Sequence, residues 1–170
     1  MNVKTLLSSM IIFTTATLLA GEEKYDMLLS SGTVKTSPNL ETAIYMKPTA
    51  SELFGGNYYR YVQFNDIPTA ETKKILENAG IKILLYLPNY TFMAALNENA
   101  DLRVLKTSGV RGIYQVQPEY KMLEELAVAL RTGTFPGFAI AEDGKIGLTF
   151  TYYSDLTHAA VMAWINAQHI

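Results

Sequence analysis

The chain has 170 residues, 49% of them apolar and 18% charged, enough to bury one ordinary core or two small ones and too apolar for a disordered tail. Its formal net charge is -2, and -3 once a leader charged only at Lys4 is removed, so no basic field exists to hold a nucleic acid. The absence of cysteine excludes disulfide frameworks, thiolate metal sites and cysteine nucleophiles.

Residues 1–20 combine Lys4 with an uncharged apolar run from Thr5 to Ala20, ahead of Gly21, Glu22 and Glu23. That pattern reads as an export signal cleaved near Ala20. Sixteen residues diluted by Ser and Thr fall short of the ~20 that a spanning helix needs, so no membrane attachment is expected after signal removal. Glu22 stands where a lipid-bearing cysteine would have to be, and no lipid anchor is expected.

Residues 21–57 are poorly periodic, with strand-like pieces at Tyr25 to Leu29 and Ala43 to Met46 broken by Gly32, Pro38 and Pro48. They read as a linker or loose hairpin that ends in a hinge at Gly55 to Asn57. The aromatic and β-branched run Tyr58 to Phe64 suits a strand. A helix follows, capped by Thr69, with Glu71 in its first turn, Ile75, Leu76 and Ala79 on one apolar face and Gly80 at its end. Lys82 to Leu87 and Thr91 to Leu96 form a hairpin turned by Pro88 and Asn89. A second short helix, capped by Asn99 or Asp101, turns Leu102 and Leu105 inward and stops at Gly109, and Val110 to Val116 is a last strand. Strand, helix, strand, strand, helix, strand is the ferredoxin-like split βαβ order, and residues 58–121 form that α+β unit.

Both helices of such a unit pack on one sheet face, so the other should turn polar side chains to water at every second position. Here Val62 and Phe64 oppose Tyr59 and Tyr61, while Leu84 and Tyr86 oppose Ile83, Leu85 and Leu87, so either face stays apolar. An exposed sheet face of that kind marks a docking surface, with Tyr59, Tyr61, Tyr86, Met93 and Ile113 as the expected partner contacts. The competing expectation is that residues 122–170 cover it.

Met122 to Arg131 reads as a helical connector and Asp143-Gly144 as a tight turn. Ile146, Leu148, Phe150 and Tyr152 alternate with period two, as in a strand. Phe64 to Ile81 also lies without gaps on Tyr153 to Ile170, placing Asp66 on Asp155, Ile67 on Leu156, Ile75 on Trp164 and Leu76 on Ile165. A second, incomplete αβ unit is therefore expected over residues 122–170, in a chain that reads as part of a longer product.

Catalytic signals are missing. The two histidines are His158 and His169, and the closely spaced Ser154, Asp155 and His158 fit helix capping or a surface better than a relay in which a buried acid orients a base. No nucleophile elbow, zinc-protease helix motif or phosphate-binding glycine loop is present. Glu124 and Glu125 are expected to face water, the sequon at Asn89 to Thr91 reads as coincidence, and Trp164 is expected on a core helix face. No cofactor is implied.

The "YVQF" strand, the helix ending "ENAGIKIL", the "YLPNYTFMAAL" hairpin and the closing "VRGIYQVQPEYK" stand in an order and spacing that resemble the N-terminal prodomain of subtilisin-like serine proteases, of the fervidolysin-like type. The resemblance covers Tyr58 to Met122. It implies a unit whose helix-free face packs on the protease domain, templates its folding and blocks it until cleavage. It also implies that Gln117, Pro118, Glu119, Tyr120 and Lys121 run extended into the substrate cleft. The chain departs from the simple pattern by continuing into a helix and a second unit, and the Asp, His and Ser motifs of the catalytic domain are absent. The expected partner is thus the catalytic domain of the same precursor or a separate subtilisin-like protease, with this chain non-catalytic. A free-standing secreted inhibitor, or a ferredoxin-like module that dimerises through its sheet, are the alternatives.

Overall fold

The computed structural model describes residues 23–168; the expected export signal lies outside them. A short hairpin, β1 (Met27–Leu29) and β2 (Gly32–Val34), comes first, then one helical turn, α1 (Leu40–Ala43). The main unit contains β3 (Asn57–Phe64), α2 (Ala70–Asn78), β4 (Ile81–Leu87), β5 (Thr91–Asn97), a 3₁₀ helix at Leu102–Thr107 and β6 (Val110–Gln115). Its antiparallel sheet has the order β4-β5-β3-β6. The crossover through α2 leaves one vacant place between β3 and β4, which β5 fills, giving the ferredoxin-like α+β arrangement.

Local chemistry sets the element ends. Oγ1 of Thr69 accepts from the Thr72 amide at 3.1 Å, which satisfies a donor in the first turn of α2. Asp101, not Asn99, caps the second helix by accepting from the Arg103 amide at 3.1 Å. Asn89 and Tyr90 both adopt left-handed backbone, φ 61° and 58°, the geometry of a tight turn whose twist matches its flanking strands.

The core lies between the sheet and its helices, where Tyr58, Val62, Phe64, Ile81, Phe92, Ala94, Leu96, Val110 and Ile113 meet Leu76 of α2 and Leu105 of the 3₁₀ helix. Leu76 is the buried anchor of α2, while its expected neighbour Ile75 is 48% exposed. Residues 23–57, expected as a linker or loose hairpin, are packed: Ala43 and Ile44 enter this core, and Met27 enters a second apolar layer on the opposite sheet face. Their apolar side chains leave water only by joining one layer or the other.

Beyond the sheet come a 3₁₀ turn (Pro118–Lys121), α3 (Glu124–Thr132) and α4 (His158–Ala167). Glu124 and Glu125 are exposed in the first turn of α3. Of the expected second αβ unit the helix α4 is formed, but the alternating segment before it is not a strand. Ile146 to Tyr152 joins no ladder, apart from a single bridge between Ile140 and Ile146, because a lone strand has no neighbour to complete its hydrogen bonds. Trp164, expected in a core, is 50% exposed and meets Phe54 edge-on at 6.4 Å. Among the described residues no helix is long and apolar enough to cross a membrane.

Candidate docking face

The helix-free face is laid out by strand register. Tyr61 pairs with Met93 on one side and Tyr114 on the other, while Gln63 pairs with Thr91 and Gly112, and Tyr59 with Ala95. Successive side chains of a strand alternate between faces, so these residues share one surface. Two irregularities break the alternation at the sheet margins. A shift between Ile83 and Leu85 brings Leu85 opposite Met93 and Tyr86 opposite Phe92. A second shift, at Gln63/Phe64, places Val110 opposite Phe64 and Ile113 opposite Val62.

Those shifts correct two of the five expected contacts. Tyr59, Tyr61 and Met93 lie on the helix-free face. Tyr86 instead lies on the helix side, with its ring 5.1 Å from Phe92, and Ile113 is buried in the helix-side core. One inserted residue reverses the side taken by all that follow, which uniform alternation does not anticipate.

The face has three zones. At the Gln63 end lies a buried polar cluster. Arg111 Nη1 donates to Gln63 Oε1 at 2.8 Å and to Thr36 Oγ1 at 3.0 Å, and Gln63 Nε2 donates to the Tyr25 carbonyl at 2.6 Å and to Thr91 Oγ1 at 3.1 Å. The Tyr25 ring covers the guanidinium at 4.4 Å, a cation–π contact that replaces part of the lost hydration. This cluster fixes the N-terminal hairpin to the sheet.

In the middle Met27, Tyr61 and Met93 are buried, at 1%, 4% and 3% exposure, beneath the hairpin and the ring of Tyr120. At the far end Tyr59 stacks on Tyr153 with centroids 4.8 Å apart and donates its hydroxyl to Asp155 Oδ2 at 2.9 Å. The other Asp155 oxygen is buried and has no partner among the described residues. The face expected to be bare is thus occupied along most of its length by the hairpin, the turn after β6 and residues near Tyr153, because sealing apolar surface from water is favourable.

The cover is incomplete. A groove of about 740 Å³ remains between the sheet and the later segments, lined by Phe54, Tyr59, Tyr61, Tyr120, Tyr153 and Trp164 among others. The ion pair of Arg60 with Glu52, 2.7 Å, stands in its wall. Burial, and secondarily the phenols of Tyr153 and Tyr120, push the Tyr61 hydroxyl up to about 12. Burial and the hydrogen bond to Asp155 push Tyr59 higher still, so both phenols are neutral at neutral pH.

The expected cleft-binding tail is folded back. Gln117 has extended backbone, but Pro118–Lys121 close into a 3₁₀ turn in which the Tyr120 amide donates to the Gln117 carbonyl at 3.0 Å. Pro118, Glu119 and Lys121 are exposed, and Tyr120 is half-buried against Tyr61. Ser154, Asp155 and His158 form no relay: His158 Nδ1 lies 3.2 Å from the Tyr152 hydroxyl, and Asp155 is engaged by Tyr59. Sequence reasoning missed the Gln63–Arg111 cluster, for which the signal was two polar side chains inside otherwise apolar strands, and it missed Tyr153 and Asp155 as covering groups.

A family model described as "Domain of unknown function (DUF8729)" matches residues 28–117, a span that takes in the β1–β2 hairpin apart from Met27, together with all four strands of the sheet. No curated protein and no solved structure matches the chain.

Proposed function

We propose that this chain, which belongs to the DUF8729 family, serves as the non-catalytic pro-region of an exported subtilisin-like serine protease precursor, aiding the folding of the protease domain and inhibiting it. The observation that carries this reading is the grooved aromatic face of the sheet, with the end of β6 and its following segment in the groove wall. A partner helix seated there would bury Tyr59 and Leu85, an apolar and aromatic anchor pair suited to a groove.

Inhibition would come from the segment that leaves β6. Gln117 and Met122 already have extended backbone on either side of the 3₁₀ turn. Opening the turn breaks the bond from the Tyr120 amide to Gln117, a cost of about 0.5–1.5 kcal/mol, which main-chain pairing in a substrate cleft would offset. Laid out in that way, Gln117 to Lys121 would occupy the cleft as a poor substrate while the sheet face holds the enzyme.

The test is to add the purified chain to a subtilisin-like protease and to follow both hydrolysis of a peptide substrate and recovery of activity after denaturation. Inhibition together with faster recovery is expected, and Leu85→Glu should weaken inhibition about tenfold or more, the loss of one buried anchor. Inhibition without any effect on recovery would instead favour a free-standing inhibitor. A stable homodimer that affects neither measurement would favour the dimerising module.

A further inference from the structure

We propose that residues 150–164 are a displaceable lid on the docking face, an intramolecular competitor that must swing aside before a partner reaches Tyr59. What displaces the lid rests on the reading above; the lid itself does not.

The two ends of the face are held in different ways. The hairpin end is fixed by several mutually supporting hydrogen bonds to Gln63 and Arg111 and by the buried side chain of Met27. At the lid end Tyr153 stacks on Tyr59, Asp155 accepts one hydrogen bond, and Trp164 meets Phe54 edge-on. No strand ladder joins this segment to the sheet, and α4 buries only Val161. Leu148 and Phe150, just before and at the lid's start, are 58% and 57% exposed.

One contact is built against itself. Closing the lid leaves Asp155 Oδ2 with the Tyr59 hydroxyl as its donor, while Oδ1 is buried without one among the described residues. An unsatisfied buried carboxylate oxygen is a standing penalty that opening would relieve. The groove left under the lid likewise marks incomplete packing. Segments with few buried contacts and few backbone bonds open locally at the lowest cost. A lid of this kind lowers the partner's apparent affinity by the fraction of open molecules, so releasing it should raise affinity.

The experiment uses the whole chain and a Tyr153→Ala/Asp155→Ala variant, which changes the lid and leaves the sheet face intact. Trp164 is the sole tryptophan, so its emission reports the lid alone, and anilinonaphthalene sulfonate reports exposed apolar surface. In the variant the Trp164 emission should move to longer wavelength, dye fluorescence should rise several-fold, and protease inhibition should tighten by about tenfold, a typical coupling between states. Unchanged emission and dye binding would overturn the lid, whatever the protease does. Inhibition equal in both forms despite a dye response would also overturn it, since the segment would then not compete. A dye and emission response with no inhibition by either form would support the lid and count against the protease reading. Hydrogen exchange on the unaltered chain gives a second measurement should the variant misfold: amides of 153–164 should exchange well before those of β3 and β5, and equal protection would overturn the proposal.

Discussion

The guanidinium of Arg111 donates to the side-chain carbonyl of Gln63 at 2.8 Å in the closed layer between the N-terminal hairpin and the sheet. No carboxylate is paired with Arg111 among the described residues, so Gln63, Thr36 and the Tyr25 ring take over the part water would play. Gln63→Ala would take one acceptor from the Arg111 guanidinium and one hydrogen-bond partner each from Thr36 and Thr91. Stability should fall by about 2–4 kcal/mol in urea titration, above the cost of a single neutral hydrogen bond, because one lost partner is charged and buried.

The hairpin is part of the domain. A chain that begins at Tyr58 would lose Met27 from one layer, Ala43, Ile44 and Leu53 from the other, and the Thr36 side of the polar cluster. Each large apolar side chain removed costs about 2–5 kcal/mol against a total stability of ~5–15 kcal/mol. Such a fragment should show no cooperative thermal transition, whereas one beginning at residue 23 should show one.

The helix α2 offers a paired comparison. Leu76→Ala removes a fully buried anchor and should cost about 2–5 kcal/mol. Ile75→Ala, at the adjacent half-exposed position, should cost under ~1 kcal/mol. Equal effects in denaturant titration would mean that the helix is rotated about its axis from the orientation described.

Gly112 faces a crowded spot. A Cβ there would collide with the Tyr114 hydroxyl and stand 2.7 Å from Asn39 Oδ1. Gly112→Ala should therefore destabilise by about 1–3 kcal/mol through overpacking, with the loss visible as faster exchange of the Ile113 amide.

Alkaline pH tests the buried phenols. Tyr61 is raised to about 12 and Tyr59 is raised further, while an unfolded chain ionises its tyrosines near 10. Between those values the unfolded state holds fewer protons than the folded one, so stability is complete below pH 10 and falls as pH rises toward 12. Absorbance at 295 nm should show a subset of the eleven tyrosines ionising only as the chain unfolds. Tyr61→Phe should reduce the pH slope.

Element order was legible because each boundary carries local chemistry: Thr69 and Asp101 as caps, Gly80 and Gly109 as stops, Asn89 in the turn. The sides taken by Tyr86 and Ile113 were not, since both lie beyond register shifts that depend on neighbouring strands and leave no trace in periodicity. The covering of Tyr61 and Met93 was also hidden. Met27, Tyr120 and Tyr153, which surround them, are far apart in the chain and meet only in the folded molecule. The alternation from Ile146 to Tyr152 was real as a pattern, yet a strand also needs a neighbour, and none is present among the described residues.

Asn39 settles the fate of the outer rim of the sheet. Its side-chain amide donates to the Ile113 carbonyl at 2.8 Å and its oxygen accepts from the Ile113 amide at 2.9 Å, so it imitates one peptide unit of a fifth strand on the outer side of β6. A main-chain pair that would otherwise invite another polypeptide is spoken for. Another strand approaching this flank side by side therefore finds the Ile113 pair already taken by a single carboxamide.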